Sequence, residues 1–241
     1  MELERCFQTF AFQTTLAFVF LCVDPFGNQP SMLMEFFLAT LFSLFSIVDP
    51  PGAIPVYVAL TGDRPKPERD RIALNTSLYF LLIMFSFFLG GTYILHFFGI
   101  SVHALRIAGG LALMFSGFGL MSGSLAKRRG FDKEAEKQSH ERNDIAFSPM
   151  AMPMLSGPGS ISYLITQYNQ HNSLEERLTI MASIVAVGFL VWVSLRVAPL
   201  LFRVFGVGGL NAIARIMGFI VISIGVQFIV DGMVHLVGEM K

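Results

Sequence analysis

Charged residues are scarce in this sequence of 241 residues. Asp, Glu, Lys and Arg together make up 14% of it, whereas hydrophobic residues make up 54%. A soluble domain usually carries about 25% charged residues. The deficit argues against a soluble globular protein and indicates that much of the surface faces lipid.

Positive charge and cysteine are also limited. The 17 basic residues are balanced by 17 acidic ones, so the excess of positive charge that nucleic-acid binding requires is missing. The two cysteines, Cys6 and Cys22, form no C-x-x-C pair, so neither a metal site nor a redox site is predicted. We therefore expect a lipid bilayer as a partner, no nucleic acid, and no cofactor beyond a coupling proton or sodium ion.

Six apolar stretches are long enough to cross a membrane. A helix needs roughly 20 apolar residues to span the hydrocarbon core, and the runs are too long and too uniform for barrel strands. The sequence therefore predicts an all-α polytopic membrane protein with six transmembrane helices. The stretches are Met32–Leu60, Leu74–Phe98, Val102–Leu125, Ile145–Tyr168, Leu178–Phe202 and Arg215–Val237.

Two segments fall outside these stretches. Residues 1–31 form an N-terminal extension that fits a signal-peptide-like leader, a seventh span, or sequence upstream of a later methionine start. Residues 126–144 are the only long polar segment. They predict a linker between two membrane halves, 32–125 and 145–241.

The two halves align with each other. Two short matches lie at the same offset along the chain, and a third follows after a short insertion in the second half. We interpret this as an internal repeat of three helices, and because three is odd the second repeat must be inverted. The matches are Pro51–Ile54 with Pro158–Ile161, Phe98–Ile100 with Phe205–Val207, and Arg106–Gly109 with Arg215–Gly218.

The distribution of basic residues supports the inversion. The loops after the first, third and fifth stretches carry 13 of the 17 basic residues, and such loops stay in the cytoplasm. The linker is therefore predicted to be cytoplasmic, and both ends of the six-helix core, including the C-terminus, are predicted outside. Inverted repeats of this kind are typical of secondary transporters.

Helix-breaking residues interrupt the first and fourth stretches. They are Asp49-Pro50-Pro51-Gly52 and Ser156-Gly157-Pro158-Gly159, and proline and glycine both disfavour a helix interior. Helices one and four are therefore predicted to be discontinuous. Backbone groups freed inside a membrane must be buried or line a cavity. The amide end of a half-helix attracts a carboxylate and the carbonyl end attracts a cation, so two inverted breaks near the midplane would suit a zwitterion.

The candidate substrate-binding residues lie at or near these interruptions. Asp49 is an intramembrane carboxylate, which is costly and therefore a functional candidate. It would bind a substrate amine or carry a coupling proton; alternatively, its oxygens would satisfy backbone amides beside the prolines. Arg106 and Arg215 are expected to extend to opposite membrane interfaces. The candidates are Ser46, Val48, Asp49, Pro50, Gly52, Ala53, Asn75, Leu155, Ser156, Gly157, Gly159 and Ser160.

The two interrupted segments resemble the signature segments of the MarC family. They are FSLFSIVDPPGAIPVYVALT (Phe42–Thr61) and AFSPMAMPMLSGPGSISYLI (Ala146–Ile165). The family pattern is Asn or Asp followed by Pro-x-Gly in the first segment, where x is Pro51 here, and Gly-Pro-Gly in the second. The resemblance covers about Met34 to Val237. It implies an inner-membrane protein of the kind called SnatA, which moves glycine, alanine or similar small neutral amino acids with coupling to a cation gradient.

Other function classes have less support in the sequence. It contains no G-x-x-x-x-G-K-[ST] phosphate loop for ATP-driven transport, and neither G-x-S-x-G nor H-E-x-x-H, so no enzyme is predicted. The alternatives are a non-transporting membrane scaffold or regulator, and an exporter of another small solute. Gly119 and Gly123 would permit the close helix approach of a homo-oligomer.

Overall fold

A computed structural model describes residues 30–62, 64–122 and 145–239. The regular elements within these ranges are all helical, and no strand occurs among them, which confirms the predicted all-α class for this part of the chain. The predicted linker at 126–144, and nearly all of the predicted N-terminal extension, lie outside the described residues.

Except between Met121 and Ala146, the helices follow one another with short connections. The longest of them, α7 (Leu174–Glu239), turns at Gly206, whose φ is +61°. It therefore has two arms, α7a (Leu174–Gly206) and α7b (Gly208–Leu236). The described elements are α1 (Pro30–Val48), α2 (Pro50–Thr61), α3 (Lys66–Phe98), α4 (Val102–Met121), α5 (Ala146–Leu155), α6 (Pro158–Gln170) and α7 (Leu174–Glu239).

Five segments of the described chain are long and apolar enough to cross a membrane. They are Leu33–Thr61, which comprises most of α1 and all of α2, and the helices α3, α4, α7a and α7b. The predicted fourth stretch instead forms α5 and α6, of 10 and 13 residues. The sequence predicted a break between the stretch that ends at Phe202 and the one that begins at Arg215. That prediction was wrong, because the chain there is helical except at Gly206.

The segment α5 is wound irregularly, and its sequence explains why. Ser148 and Met152 have extended backbones, with φ near −130° and ψ near 120°. Each precedes a proline, and the ring of a proline pushes the residue before it out of the helical region. The sequence therefore prevents a regular α-helix over this stretch.

The outward surface of the helices is apolar, as expected for contact with lipid. Phe97, Phe115 and Tyr93 are among the most exposed side chains, at 85%, 76% and 77%. Part of the core is a stripe of α7a, whose residues lie three or four positions apart and are fully buried. That stripe comprises Ile180, Ile184, Val187, Val191, Leu195 and Ala198.

Helices α4 and α7b pack against each other in antiparallel directions through glycines. A Cβ atom placed on Gly110 would lie 2.6 Å from the carbonyl oxygen of Gly225, and one on Gly117 would lie 2.6 Å from the carbonyl oxygen of Gly218. Backbones this close leave no room for side chains. We call these four residues the glycine seam.

Candidate functional site

The chain leaves the helical conformation at Asp49. This residue has φ +48° and ψ +61°, a left-handed conformation that Asp and Asn tolerate better than other non-glycine residues. Its side chain is 7% exposed, and its Oδ1 accepts a hydrogen bond of 3.2 Å from the backbone N–H of Gly52. Asp49 is thus the N-cap of α2, the structural role that the sequence left open.

Gly52 makes this cap sterically possible. A Cβ atom at position 52 would lie 2.8 Å from Cγ of Asp49, so any side chain would displace the carboxylate. Pro50 and Pro51 occupy the first positions of α2, where a missing N–H is harmless. In the preceding helix, however, they cannot donate to the carbonyls of Ser46 and Ile47, four residues earlier.

The second interruption has no equivalent cap. The N-cap residue of α6 is Gly157, and no side chain caps this helix. Within the described part of the chain, the backbone amides of Gly159 and Ser160 have no hydrogen-bond partner. The hydroxyl of Ser156 is 1% exposed and is likewise unpartnered among these residues. Buried polar groups normally find partners, so this cluster of donors is suited to an anionic group.

The other small residues at the second interruption have structural contacts. Ser160 Oγ donates to the carbonyl oxygen of Gly157 at 2.9 Å and to that of Leu155 at 3.4 Å. A Cβ atom on Gly159 would lie 2.7 Å from Cγ of Leu113 in α4. Gly159 therefore allows α6 to pack closely against α4, a role that the sequence did not indicate.

Helices α1 and α6 run antiparallel in a register that brings the two interruptions to the same level. The Phe36 ring lies 4.6 Å from the His171 ring, and further along α1 the Thr40 and Ser43 hydroxyls face that of Tyr163. Continued at the helical rise, this register places Asp49 level with residues 156 and 157. In agreement, α1 contacts α6 and α2 contacts α5.

A polar cluster between α1 and α6 was not among the candidates. Tyr163 is buried and accepts a hydrogen bond of 2.8 Å from the amide of Gln167, beside Thr40 and Ser43. The four-residue spacing of Tyr163 and Gln167 was visible in the sequence. Nothing there showed that their face meets α1.

The remaining candidates lie in two places. Val48, Pro50, Ala53 and Leu155 are buried around the interruptions, and Ser46 is partly buried one turn before Asp49. Asn75 instead lines a cavity of about 450 Å³ at the start of α3, together with Arg64, Glu68, Arg71, Ile72, Ile145 and Ala146.

Arg106 does not extend to the membrane interface, so that expectation was wrong. It is 5% exposed and lies close enough to Asp231 for their charges to interact. Its counterpart Arg215 is exposed. No group of three His, Cys, Asp or Glu side chains that could hold a metal ion occurs among the described residues.

Several known proteins are similar to this chain in sequence. A UPF0056 membrane protein of Methanocaldococcus jannaschii is 37% identical over 202 residues, which cover 83% of this chain and 97% of the relative. The UPF0056 membrane protein YhcE of Escherichia coli is 34% identical over 211 residues, covering 87% of this chain and 95% of the relative. No solved structure matches significantly.

A third relative and a family model identify the family to which this chain belongs. The UPF0056 inner membrane protein MarC of Escherichia coli is 34% identical over 209 residues, covering 82% of this chain and 93% of that protein. The model of the MarC family integral membrane proteins matches residues 34–237, a range that includes both interruptions. This chain therefore belongs to the MarC family of integral membrane proteins.

Proposed function

We propose that this protein is a secondary transporter that carries small neutral amino acids such as glycine and alanine across the inner membrane. The proposal rests on the contrast between the two interruptions, which lie at the same height along the antiparallel helices α1 and α6. A carboxylate, Asp49, lies at the first, whereas the Ser156 hydroxyl and the backbone amides of Gly159 and Ser160, unpartnered among the described residues, lie at the second. A zwitterion would place its ammonium group at Asp49 and its carboxylate at the start of α6.

An inverted-repeat architecture is part of this proposal and has two supports. Gly99 and Gly206, which the repeat alignment pairs, both have a positive φ, +65° and +61°, and differ in ψ, which is 25° and −176°. The glycine seam is also self-consistent. When Gly110 is aligned with Gly218 and Gly117 with Gly225, each of the two seam contacts maps onto the other. A pseudo-two-fold axis in the membrane plane would produce this relation.

Under the proposed repeat, the seam favours a different alignment of the third helices. The match of Arg106 with Arg215 is shifted by one position from the alignment that the seam requires. One residue turns a helix by about 100°. Arg106 and Arg215 therefore occupy different faces, as their burial and exposure indicate. In the proposed fold, α5 and α6 together make the fourth span, which is discontinuous, in addition to the five long ones.

A coupling cation would bind at the carbonyl side of the first interruption. In a regular helix the carbonyls of Ser46 and Ile47 would accept from the N–H groups of residues 50 and 51. Both of these residues are prolines without an N–H, so the two carbonyls lack their usual donors. Carbonyl oxygens suit a sodium ion, whereas a proton would require Asp49 itself. Uptake driven by a sodium gradient and by a proton gradient, measured separately, distinguishes the two.

Proteoliposomes containing the purified protein test the proposed substrate. We expect uptake of labelled glycine and alanine, with competition by other small zwitterions. Propionate and ethylamine each lack one of the two charges, so neither should compete. A folded, reconstituted protein that transports no small amino acid would contradict the proposal and favour a scaffold, a regulator or an exporter of another solute.

Ser156→Ala tests the anionic half of the site. We expect uptake affinity to fall by roughly tenfold or more, the usual contribution of a hydrogen bond to a charged group. Thermal stability should be unchanged or slightly higher, because the hydroxyl has no partner among the described residues. The matched control is Ser162→Ala, whose buried hydroxyl donates to the carbonyl of Leu105 at 3.0 Å. It should lose about 1 kcal/mol of stability and keep its uptake.

A further inference from the structure

A crevice of about 210 Å³ lies between the start of α3 and the end of α7a. Three cationic side chains line it, Lys66, Arg69 and Arg196, together with one carboxylate, Asp70. Arg196 Nη2 lies 3.6 Å from Asp70 Oδ2, and the Arg196 side chain is still 49% exposed. The lining therefore keeps an excess of positive charge that faces outward.

The start of α3 adds to this positive potential. Its N-cap residue is Pro65, and no side chain caps the helix. The amides of Glu68 and Arg69 donate to the Pro65 carbonyl and Pro67 has no N–H, so the contribution of this helix start is the positive end of its dipole, which favours anions. The floor of the crevice is fixed because the Tyr57 hydroxyl donates a hydrogen bond of 2.7 Å to the carbonyl oxygen of Arg69.

Two features place the crevice at the depth of lipid headgroups. Helix α3 has 33 residues and is about 50 Å long, whereas the hydrocarbon core is about 30 Å thick. Its charged first turns therefore extend into the interfacial region. Trp192, the only tryptophan of the chain, lies beside the crevice with the guanidinium of Arg196 5.2 Å from its ring centre, and tryptophan prefers this depth.

The wall of the crevice towards the membrane is apolar. Pro199 and Leu200 form its accessible part, with Leu200 60% exposed, and Leu195 is fully buried behind them. A soluble anion would gain nothing from this wall, whereas an acyl chain would pack along it. Basic pockets between membrane helices bind anionic headgroups in this way.

We propose that this crevice binds an anionic phospholipid, with the headgroup phosphate held by Lys66, Arg69 and Arg196 and an acyl chain lying on Pro199 and Leu200. Asp70 positions Arg196. Because α3 belongs to the first half of the chain and α7a to the second, the lipid joins the two halves. This site lies apart from the helix interruptions and does not depend on the transported substrate.

Quenching of Trp192 fluorescence by brominated lipid tests the proposal. The protein is reconstituted in phosphatidylcholine that contains a small, equal fraction of brominated phosphatidylglycerol or brominated phosphatidylcholine. We expect stronger quenching by the anionic lipid. Lys66→Gln/Arg69→Gln leaves the contact of Arg196 with Trp192 intact and should lower the preference for phosphatidylglycerol by roughly five- to thirtyfold.

Arg203→Gln/Arg215→Gln is the matched control, because it removes the same charge from exposed positions outside the crevice. It should keep the preference. Equal quenching by both lipids, or an equal loss of preference in both double variants, would refute the site. Abolition of the preference by inorganic phosphate would assign the crevice to a soluble anion. If the test variant does not fold, thermal stabilisation of the unmodified protein by phosphatidylglycerol, but not by phosphatidylcholine, decides the question.

Discussion

Four consecutive residues form a self-consistent unit at the first interruption. Asp49 adopts the left-handed conformation and caps α2, Pro50 and Pro51 fill positions that need no donor, and Gly52 leaves room for the carboxylate. The helix breakers alone predicted where the chain would be interrupted. The cap required coordinates, because it depends on where one carboxylate oxygen points.

Substitution of Asp49 separates its cap from its charge. Asp49→Asn retains a capping oxygen and tolerance of a positive φ, so the thermal midpoint should be close to that of the unmodified protein. Asp49→Ala loses both and should be less stable by about 1–3 kcal/mol. If both variants unfold alike, the cap is unimportant. Loss of uptake in a stable Asp49→Asn would assign the charge itself to binding or coupling.

Residues whose role depends on a distant neighbour could not be predicted. The burial of Arg106 follows from its contact with α7b, where a Cβ atom on Gly232 would lie 3.4 Å from the Arg106 Cβ. Likewise, a hydroxyl such as that of Ser156 is recognised as unpartnered only when its surroundings are known. Composition and spacing describe a residue's own helix and contain no record of the facing one.

At the scale of helices, the sequence predicted where the helices lie along the chain better than it predicted whether each one is regularly wound. The stretches Leu74–Phe98 and Val102–Leu125 correspond to α3 and α4, since long apolar runs are a strong signal. The fourth stretch was equally apolar but contains the two pre-proline residues that unwind α5. The glycines predicted to permit a homo-oligomer, Gly119 and Gly123, are not those of the seam. The seam instead uses Gly110 and Gly117, seven residues apart on one face of α4.

Replacement of glycines on two helices tests the seam. Gly117→Ala would place a methyl group 2.6 Å from the Gly218 carbonyl and 3.1 Å from the Ile222 backbone nitrogen, so α4 and α7b must separate. We expect a loss of about 1–3 kcal/mol in stability. Gly90→Ala on α3 meets nothing within 4 Å and should gain up to about 1 kcal/mol from helix propensity. Similar thermal midpoints for the two variants would contradict the seam.

At the scale of the whole molecule, the predicted orientation can be measured directly. A background with Cys6 and Cys22 replaced by serine leaves no other thiol. Lys137→Cys, in the linker, should be inaccessible to an impermeant maleimide added to intact cells, whereas Lys241→Cys should react. The reverse pattern would contradict the cytoplasmic linker. Reaction of both from outside would contradict the odd number of spans between them.

The packing of Arg106 against α7b has a consequence for synthesis. More than a hundred residues separate them in the chain, so at about 5–20 residues per second α4 leaves the ribosome many seconds before α7b. During that interval Arg106 is not covered by α7b, and an uncovered arginine in a membrane helix costs energy to insert, up to roughly 2.5–3.5 kcal/mol at the helix centre. Helix α4 must therefore wait at the insertion machinery, or in the protection of another helix, until the last helix arrives.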